Sequence, residues 1–590
     1  MPVHQASELV AVGEGALTSN TTGDDNVAVG RRAMESNTEG EGNTAVGHRA
    51  LDANTTASYN TGIGKGALGA NTTGAGNTAV GANALDANTT SGASTAVGYN
   101  ALTANTGAYN DAFGYASLQA NTSGTANAAF GFSALQNNTT ASNNTAVGYQ
   151  ALDANTTGTL NTAVGKGALD SNTTASDNTA VGGGAMEDNT TGTNNTAVGR
   201  TALADNTTGG SNTAVGRDAL KVNTTASNNT AVGKDALLLN TTGNNNTAVG
   251  AEALDANTVG DRNVAVGVAS LSTFNPASNA DTYNTAVGYA SLKLATTGTN
   301  NTAIGGLALT ANTTGARNVA VGANALDANT TSSDSTAIGY NALSAKTGGF
   351  GDLAIGTRPL QSLTTGHSNV AIGTSYAGYA GGSVTTGTFN TMVGNDAGRS
   401  ATTGTVNTFI GNGSGGLITT GSKNSVLGAY NGNQGGLDIR TSSNRIVLSD
   451  GDGNPRLYMN ENGILFSPPT QDNTTAAGAN VFISAGQFYR STSSQRYKNT
   501  ITDATHGLTE LLALRPVTYK GNNDGDTIFG GLIAEEVHDA GLTEFVSYDD
   551  QDRPDSLAYG NMVSLCIKAI QEQQATITAL EARIATLESN

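Results

Sequence analysis

From Leu9 to Asn424 the chain repeats one arrangement of apolar and polar positions every seventeen residues. The copy that opens at Asn195 reads NTAVGRTALADNTTGGS, and further copies open at Asn212, Asn229, Asn246 and Asn263. About 25 copies are legible between LVAVG at Leu9 and NSVLG at Asn424. A short fixed period held this long predicts a solenoid in which each copy is one coil stacked on the last. In the copy from Asn195, Thr196–Gly199 predicts a short β run, Ala202–Leu203 the start of a second, and Asn206–Gly209 a turn. Strand alternation puts Thr and Val on one face and Ala and Gly on the other. On this reading Val198 and Leu203 point inside the roll, as do the pairs Val164 and Leu169, Val215 and Leu220, and Val249 and Leu254. The Ala/Gly face is then left for close approach of a neighbouring chain. The two Asn positions turn corners, because Asn tolerates left-handed backbone and bonds locally through its amide. Stacked coil on coil, such amides form hydrogen-bonded ladders. At about 4.8 Å per coil the rod is roughly 120 Å long.

The period slips at three places. Ser94 to Asn110 is one residue short; Asn263 to Asn284 and Asn369 to Asn390 are four long. Insertions in a solenoid emerge as loops. Those here carry Phe274, Tyr283, Tyr376, Tyr379 and Phe389, which read first as surface bulges and second as ligand contacts. After Asn424 the phrase fades. Residues 431–492 predict a β neck: IRTSSNRIVL, PRLYMNENGILF and NVFISAGQFYR read as short strands between Gly, Asn and Pro turns. SDGDGN, Ser449 to Asn454, reads as an exposed turn before it reads as a cation loop. The neck concentrates Arg440, Arg445, Tyr458, Phe466, Phe482, Phe488 and Tyr489, the residue types that anchor binding surfaces.

Composition narrows the function classes. There is no Trp, aromatics make up 5%, and the core is fed by Ala, Val, Ile and Leu, so stability must come from stacking and from association with other chains. A formal net charge of -19 argues against a nucleic-acid or anionic-membrane partner. The single cysteine, Cys566, excludes an intrachain disulfide and reads as a small buried hydrophobe. No GGxGxD calcium repeat occurs, and neither a metal nor a cofactor is expected. NTT is formally a glycan acceptor, but it recurs too regularly to be read as one. MPVHQASELV lacks the basic and apolar regions of a secretory signal, and no run of about eighteen apolar residues predicts membrane insertion.

NTAVG at fixed spacing resembles the AIG-containing repeats of trimeric autotransporter heads, and the longer phrase is similar to repeat shafts of phage tail fibres and bacterial surface adhesins. The resemblance covers about residues 9–430. It implies a left-handed parallel β-roll three chains wide. The departure is a coil of seventeen residues where the head repeat is shorter.

From Ser491 charges, Leu and a helical pattern appear. SSQRYKNTI (Ser493 to Ile501), LLALRPVTYK (Leu511 to Lys520), GGLIAEEV (Gly530 to Val537) and LAYGNMVSLCIKAIQEQQ (Leu557 to Gln574) resemble the C-terminal intramolecular chaperone of endosialidases and phage tail fibres, a self-cleaving family. The resemblance implies a catalytic pair at Ser493 and Lys498, with the cut between Thr492 and Ser493. Ser494 stands where the family often has Asp, and is the competing nucleophile. The chemistry is intelligible by itself: a Ser hydroxyl needs a base, and Lys serves only when burial or a neighbouring cation, here Arg496, keeps it neutral. The chain closes on a helix with Val563, Ile570, Ile577 and Ile584 at one heptad position and Cys566, Gln573, Leu580 and Leu587 at another.

The expected whole is mainly β. Residues 1–8 form an N-terminal segment, 9–430 a trimeric parallel β-solenoid shaft, 431–492 the neck or tip, and 493–590 a small α+β chaperone ending in a coiled-coil helix. The resemblance implies a homotrimeric attachment fibre of the phage tail type, assembled in a host cytoplasm, carried on the virion tail among other tail components and binding a bacterial cell-surface receptor. Its one catalytic event is single-turnover autoproteolysis. The alternatives are a bacterial trimeric surface adhesin and a glycan depolymerase; the latter lacks the paired carboxylates of a glycosidase cleft in residues 1–430.

Overall fold

The computed structural model describes residues 7–374, 378–466, 481–484, 487–490, 498–522, 526–549 and 551–589. It divides into two compact units, Met1–Thr470 and Gln471–Asn590.

The first unit is a parallel β-solenoid. Twenty-five three-residue strands run from Val10–Val12 to Ser425–Leu427, one per coil, and Ile446–Ser449 pairs parallel to the last of them. Register is kept from coil to coil: Thr196, Ala197 and Val198 lie against Thr213, Ala214 and Val215. The one-residue deletion and both four-residue insertions are absorbed outside the strands, so Val97 still meets Phe113 and Val266 still meets Val287. Ile446–Ser449 then turns into an antiparallel meander with Pro455–Met459 and Leu465–Phe466.

The strand alternation is as expected, but the faces are reversed. Ala197 is fully buried, whereas Val198 is 38% exposed, and Val164, Val215 and Val249 are only half-buried. The interior is lined by Ala197, Ala202 and Leu203 and their equivalents. It holds one large side chain per coil, and Leu supplies it. Two coils show this as a volume exchange. Where the strand Ala becomes Met392 or Phe409, the Leu position becomes Gly398 or Gly415. A Cβ on Gly415 would stand 2.6 Å from the Phe409 ring, and one on Gly398 2.7 Å from Met392 Sδ. A Val pointing inward beside Leu would overfill the same space.

No second strand forms at Ala202–Leu203. Thr201 and Leu203 adopt φ near +54° instead, as does Ser211 near +60°, so the left-handed corners fall on these residues and not on the ladder Asn. Coil-to-coil hydrogen bonds continue nevertheless: Leu203 N–H donates to Ala219 O, Asp205 N–H to Lys221 O and Thr207 N–H to Thr224 O, each at 2.9 Å. Bonding in every part of the coil satisfies backbone groups that a Leu-lined interior cannot.

The Asn are buried and form two ladders. In one, Asn206 Nδ2 donates to Asn189 Oδ1 at 2.7 Å and to Gly209 O at 2.9 Å. In the other, Asn195 N–H donates to Asn178 Oδ1 at 3.0 Å while Asn195 Nδ2 reaches the same Gly209 O at 2.9 Å.

The second unit holds a two-stranded ribbon, Val481–Ser484 with Gln487–Arg490, and two further short hairpins. It also holds the helices α1 (Leu508–Ala513), α2 (Ala534–Asp539) and α3 (Val563–Glu588). Val537, Leu542, Phe545, Val546, Met562 and Leu565 make its small core. Glu572 on α3 accepts the Leu508 N–H at the start of α1, which fixes the two helices together. Cys566 is exposed in the single chain, contrary to expectation, because the heptad side of α3 is not covered by its own module.

Candidate functional site

At the distal end of the first unit the last coil closes over Tyr430, Ile439 and Val447, all fully buried, with Tyr430 Oη donating to Leu437 O at 2.8 Å. The expected contact residues, four in this unit and three in the ribbon of the second, divide by role. Arg440 is exposed and chelates Asp438, with Nη2 2.8 Å from Oδ2 and Nε 3.0 Å from Oδ1. Arg445 is mostly buried and holds Glu461 at 2.5 Å, so it braces the meander. Tyr458 stacks on the exposed Phe466 with ring centroids 4.9 Å apart. The ribbon sets Phe482 opposite Tyr489, and Phe488 opposite Ile483. The SDGDGN turn is closed by its own first carboxylate: Asp450 accepts the Asn454 N–H at 2.8 Å and the Arg456 guanidinium at 2.5 Å, and both hold its pKa below the usual carboxylate range. That carboxylate is already fully engaged within the turn. Among the described residues no group of three His, Cys, Asp or Glu is placed to hold a metal.

In the C-terminal unit Lys498 is exposed. Thr492, Ser493, Ser494 and Arg496 lie outside the described residues. Leu511, Leu514, Pro516, Leu532, Tyr559, Met562, Val563 and Cys566, from the last three of the four blocks, line one apolar depression of about 420 Å3. Tyr559 Oη accepts the Leu532 N–H at 2.7 Å across it. Beyond it the heptad positions of α3, Ile570, Ile577, Leu580, Ile584 and Leu587, are all exposed.

The loop aromatics have several fates. Phe274 is fully buried at an Asn-ladder position and is no surface contact. Tyr283 packs on Arg262, and Tyr379 accepts Arg358 at 2.7 Å while the guanidinium lies between the Tyr340 and Tyr379 rings. Phe389 meets His367 edge-on, and His367 stacks on Phe350. Tyr376 lies outside the described residues.

Two surface features have no counterpart in the expectations. An aromatic column stacks Tyr99, Tyr115, Phe132 and Tyr149 at centroid spacings of 5.4, 5.0 and 5.3 Å, beside the pair Phe113 and Phe130. Aligning the coils residue by residue would have found it. The second is the position after Leu in the ALD phrase, where Asp is half-buried. Asp153 and Asp255 are both pushed up to about 6, chiefly by burial, helped at Asp153 by the charge of Asp170 and at Asp255 by Glu252 and Asp235. One oxygen of each is buried without a hydrogen-bond partner.

The raised values set a pH dependence. The folded coils bind these protons more tightly than the unfolded chain does. The resulting stability is therefore fully present below about pH 4 and is lost as pH rises through about 6. Thermal unfolding should occur at higher temperature at pH 5 than at pH 7.5. Asp153→Asn and Asp255→Asn should each raise stability at pH 7.5 by about 1 kcal/mol, a figure discounted for half-exposure, and should flatten the profile. Scans of the variants at both pH values check this; an unchanged profile counts against it.

No protein-family model, no curated protein and no solved structure matches this chain.

Proposed function

We propose that the chain is one third of a homotrimeric attachment fibre. The solenoid is the shaft, the meander end bears receptor contacts, and the C-terminal module aligns three chains and then cuts itself away. The observation that carries this reading is an uncovered aliphatic ridge. Val181, Val198, Ile304, Ile338 and Ile410 all lie on the outer Thr-x-Val face, each more than a third exposed. Leu427, Ile446 and Leu448 continue it into the last coil and the meander. A continuous apolar stripe of this length marks an interaction surface. Two further copies of the same chain would cover it, because an outer Val or Ile recurs in most coils, and the C-terminal module would set the register. The exposed heptad side of α3 supports association, and the number three is what the resemblance implies.

The coils of the first unit repeat one cross-section from end to end, which suits a part that carries a binding surface at its end. Arg440 and Phe466 are the exposed anchors at the meander, with Tyr458 half-buried behind Phe466. The resemblance points to a bacterial cell surface as the target and to a virion tail as the place of work.

Solution mass tests the assembly: three chains are expected, and a monomer or dimer overturns it. Cleavage tests the module. The natural chain should give two fragments on a denaturing gel, the smaller beginning at Ser493. Ser493→Ala and Lys498→Ala should each leave an uncut chain that still trimerises. Normal cleavage of Ser493→Ala would move the nucleophile to Ser494.

A further inference from the structure

Where the coil that opens at Ser335 passes into the next, both Asn columns are broken. Lys346 stands at the position of Asn206 and its equivalents, and Asp352 at the position of Asn195 and its equivalents. Both side chains are fully buried and in contact, Lys346 Nζ against Asp352 Oδ2. A buried ion pair in a Leu- and Ala-lined interior is expensive to keep charged, and burial pushes the Lys346 amine down from its ordinary value.

The arrangement around the pair copies the ladder it interrupts. An ordinary Asn in this column accepts the next Asn N–H at Oδ1 and donates Nδ2–H to the carbonyl fourteen residues on, as Asn178 does with Asn195 and Gly192. Asp352 Oδ1 accepts the Asn369 N–H at 2.8 Å, so the acceptor half is in place. The carbonyl fourteen residues on is Gly366 O, which Asp352 has no N–H to meet. Lys346 Nζ meets it instead, at 2.5 Å. The amine nitrogen and the carboxyl group thus occupy the places of one amide.

We propose that Lys346 and Asp352 condense to an intramolecular isopeptide bond inside the coil. One ammonium proton passes to Asp352 Oδ2, leaving a neutral amine beside a neutral carboxylic acid. The amine lone pair attacks Cγ. Negative charge gathers on Oδ1, which faces two donors, Asn369 N–H at 2.8 Å and Asn369 Nδ2–H at 3.0 Å, the geometry that stabilises a tetrahedral oxyanion. A second proton leaves nitrogen for Oδ2, the Cγ–Oδ2 bond breaks, and water departs. The amide nitrogen keeps the third proton and donates it to Gly366 O. No oxidant or cofactor is consumed. Holding the two groups in contact supplies the effective concentration that a condensation in water lacks. The product removes both buried charges and restores the ladder.

Trypsin digestion of the denatured natural chain, read by mass spectrometry, tests this. An isopeptide-bonded Lys346 is not a cleavage site. The expected product is one peptide spanning 318–399, uncut after Lys346 and lighter than its sequence by one water. The double variant Lys346→Asn with Asp352→Asn, which writes the ordinary ladder back, should show its full sequence mass. Cutting between Lys346 and Thr347 with both peptides at sequence mass overturns the proposal. So does a water lost only from the Asp352 peptide with normal cutting after Lys346, which is a succinimide.

Discussion

Replacing Gly182 by Ala will cost the shaft roughly 3–5 kcal/mol, whereas the same change one residue later, at Gly183, will be close to neutral. The chain reads Gly182, Gly183 and Gly184 in succession, and the three have different reasons. Gly182 sits at φ +142°. A Cβ there would overlap Gly199 O and stand 2.6 Å from the Gly199 carbonyl carbon. The coils cannot part to admit it, because Gly182 N–H donates to Val164 O at 2.7 Å and Gly199 N–H to Val181 O at 2.8 Å. Backbone strain contributes about 1–3 kcal/mol and overpacking a similar amount, and with both at mid-range or above the loss falls at roughly 3–5 kcal/mol. Gly183 has open space at its Cβ, and its equivalents Arg200 and Arg217 carry long side chains. Gly184 has φ +65°, but Thr201 and Asp218 adopt φ 54° and 58° at the same position, so Ala there should cost only about 1 kcal/mol. Denaturant midpoints of the three single variants, followed by the β signal, check the order. Equal losses at Gly182 and Gly183 would mean that stacking distance is not fixed by the Gly column.

Much of this fold was legible because a repeat reports its own period. The seventeen-residue spacing of NTAVG placed the strands, and the recurrence of two Asn placed the ladders. The inward face was not legible. Thr-Ala-Val alternates the same way whichever face is buried, and hydrophobicity alone favours Val. The deciding fact is interior volume, set by Leu203 in a left-handed conformation that a residue pattern does not announce. The exchange of Ala and Leu for Phe409 and Gly415 was in the sequence, but it acquires meaning only once both positions are known to share one space.

The sites were legible unevenly. Arg440 and Phe466 are exposed as a contact surface needs, while Arg445 braces Glu461 and Phe274 fills the core. Composition cannot separate these roles, since an anchor and a brace use the same residue types. The Lys346 and Asp352 exchange was visible as two departures six residues apart in AKTGGFGD. The phrase departs from its consensus at many positions, and these two acquire meaning only through the coil-to-coil geometry that joins them.

The substitution pair Ile577→Asp with Ile584→Asp should abolish trimers and, with them, self-cleavage, while leaving the folded module of each chain intact. Both side chains are about half exposed on α3 and neither belongs to the module's core, so charging them leaves that core intact. In the proposed assembly they lie one heptad apart in a three-helix seam, where each level would bring three carboxylates together away from water. Burying such charges costs several kcal/mol per level, more than three short heptads supply. Lys498 is exposed in the single chain, and in the proposed assembly partner chains would supply the cover that the proposed self-cleavage needs. The shaft should fail for a related reason. Most coils offer Thr and a Val or Ile at the same places, so three chains slipped by one coil match almost as well as three aligned ones. A C-terminal clamp that starts all three at the same residue removes that degeneracy before the ridge closes. The variant should therefore emerge as monomers and ragged aggregates, read by solution mass, with one uncut band on a denaturing gel. Trimers formed at the natural level would show that α3 faces water in the assembled protein and that the ridge alone sets the register.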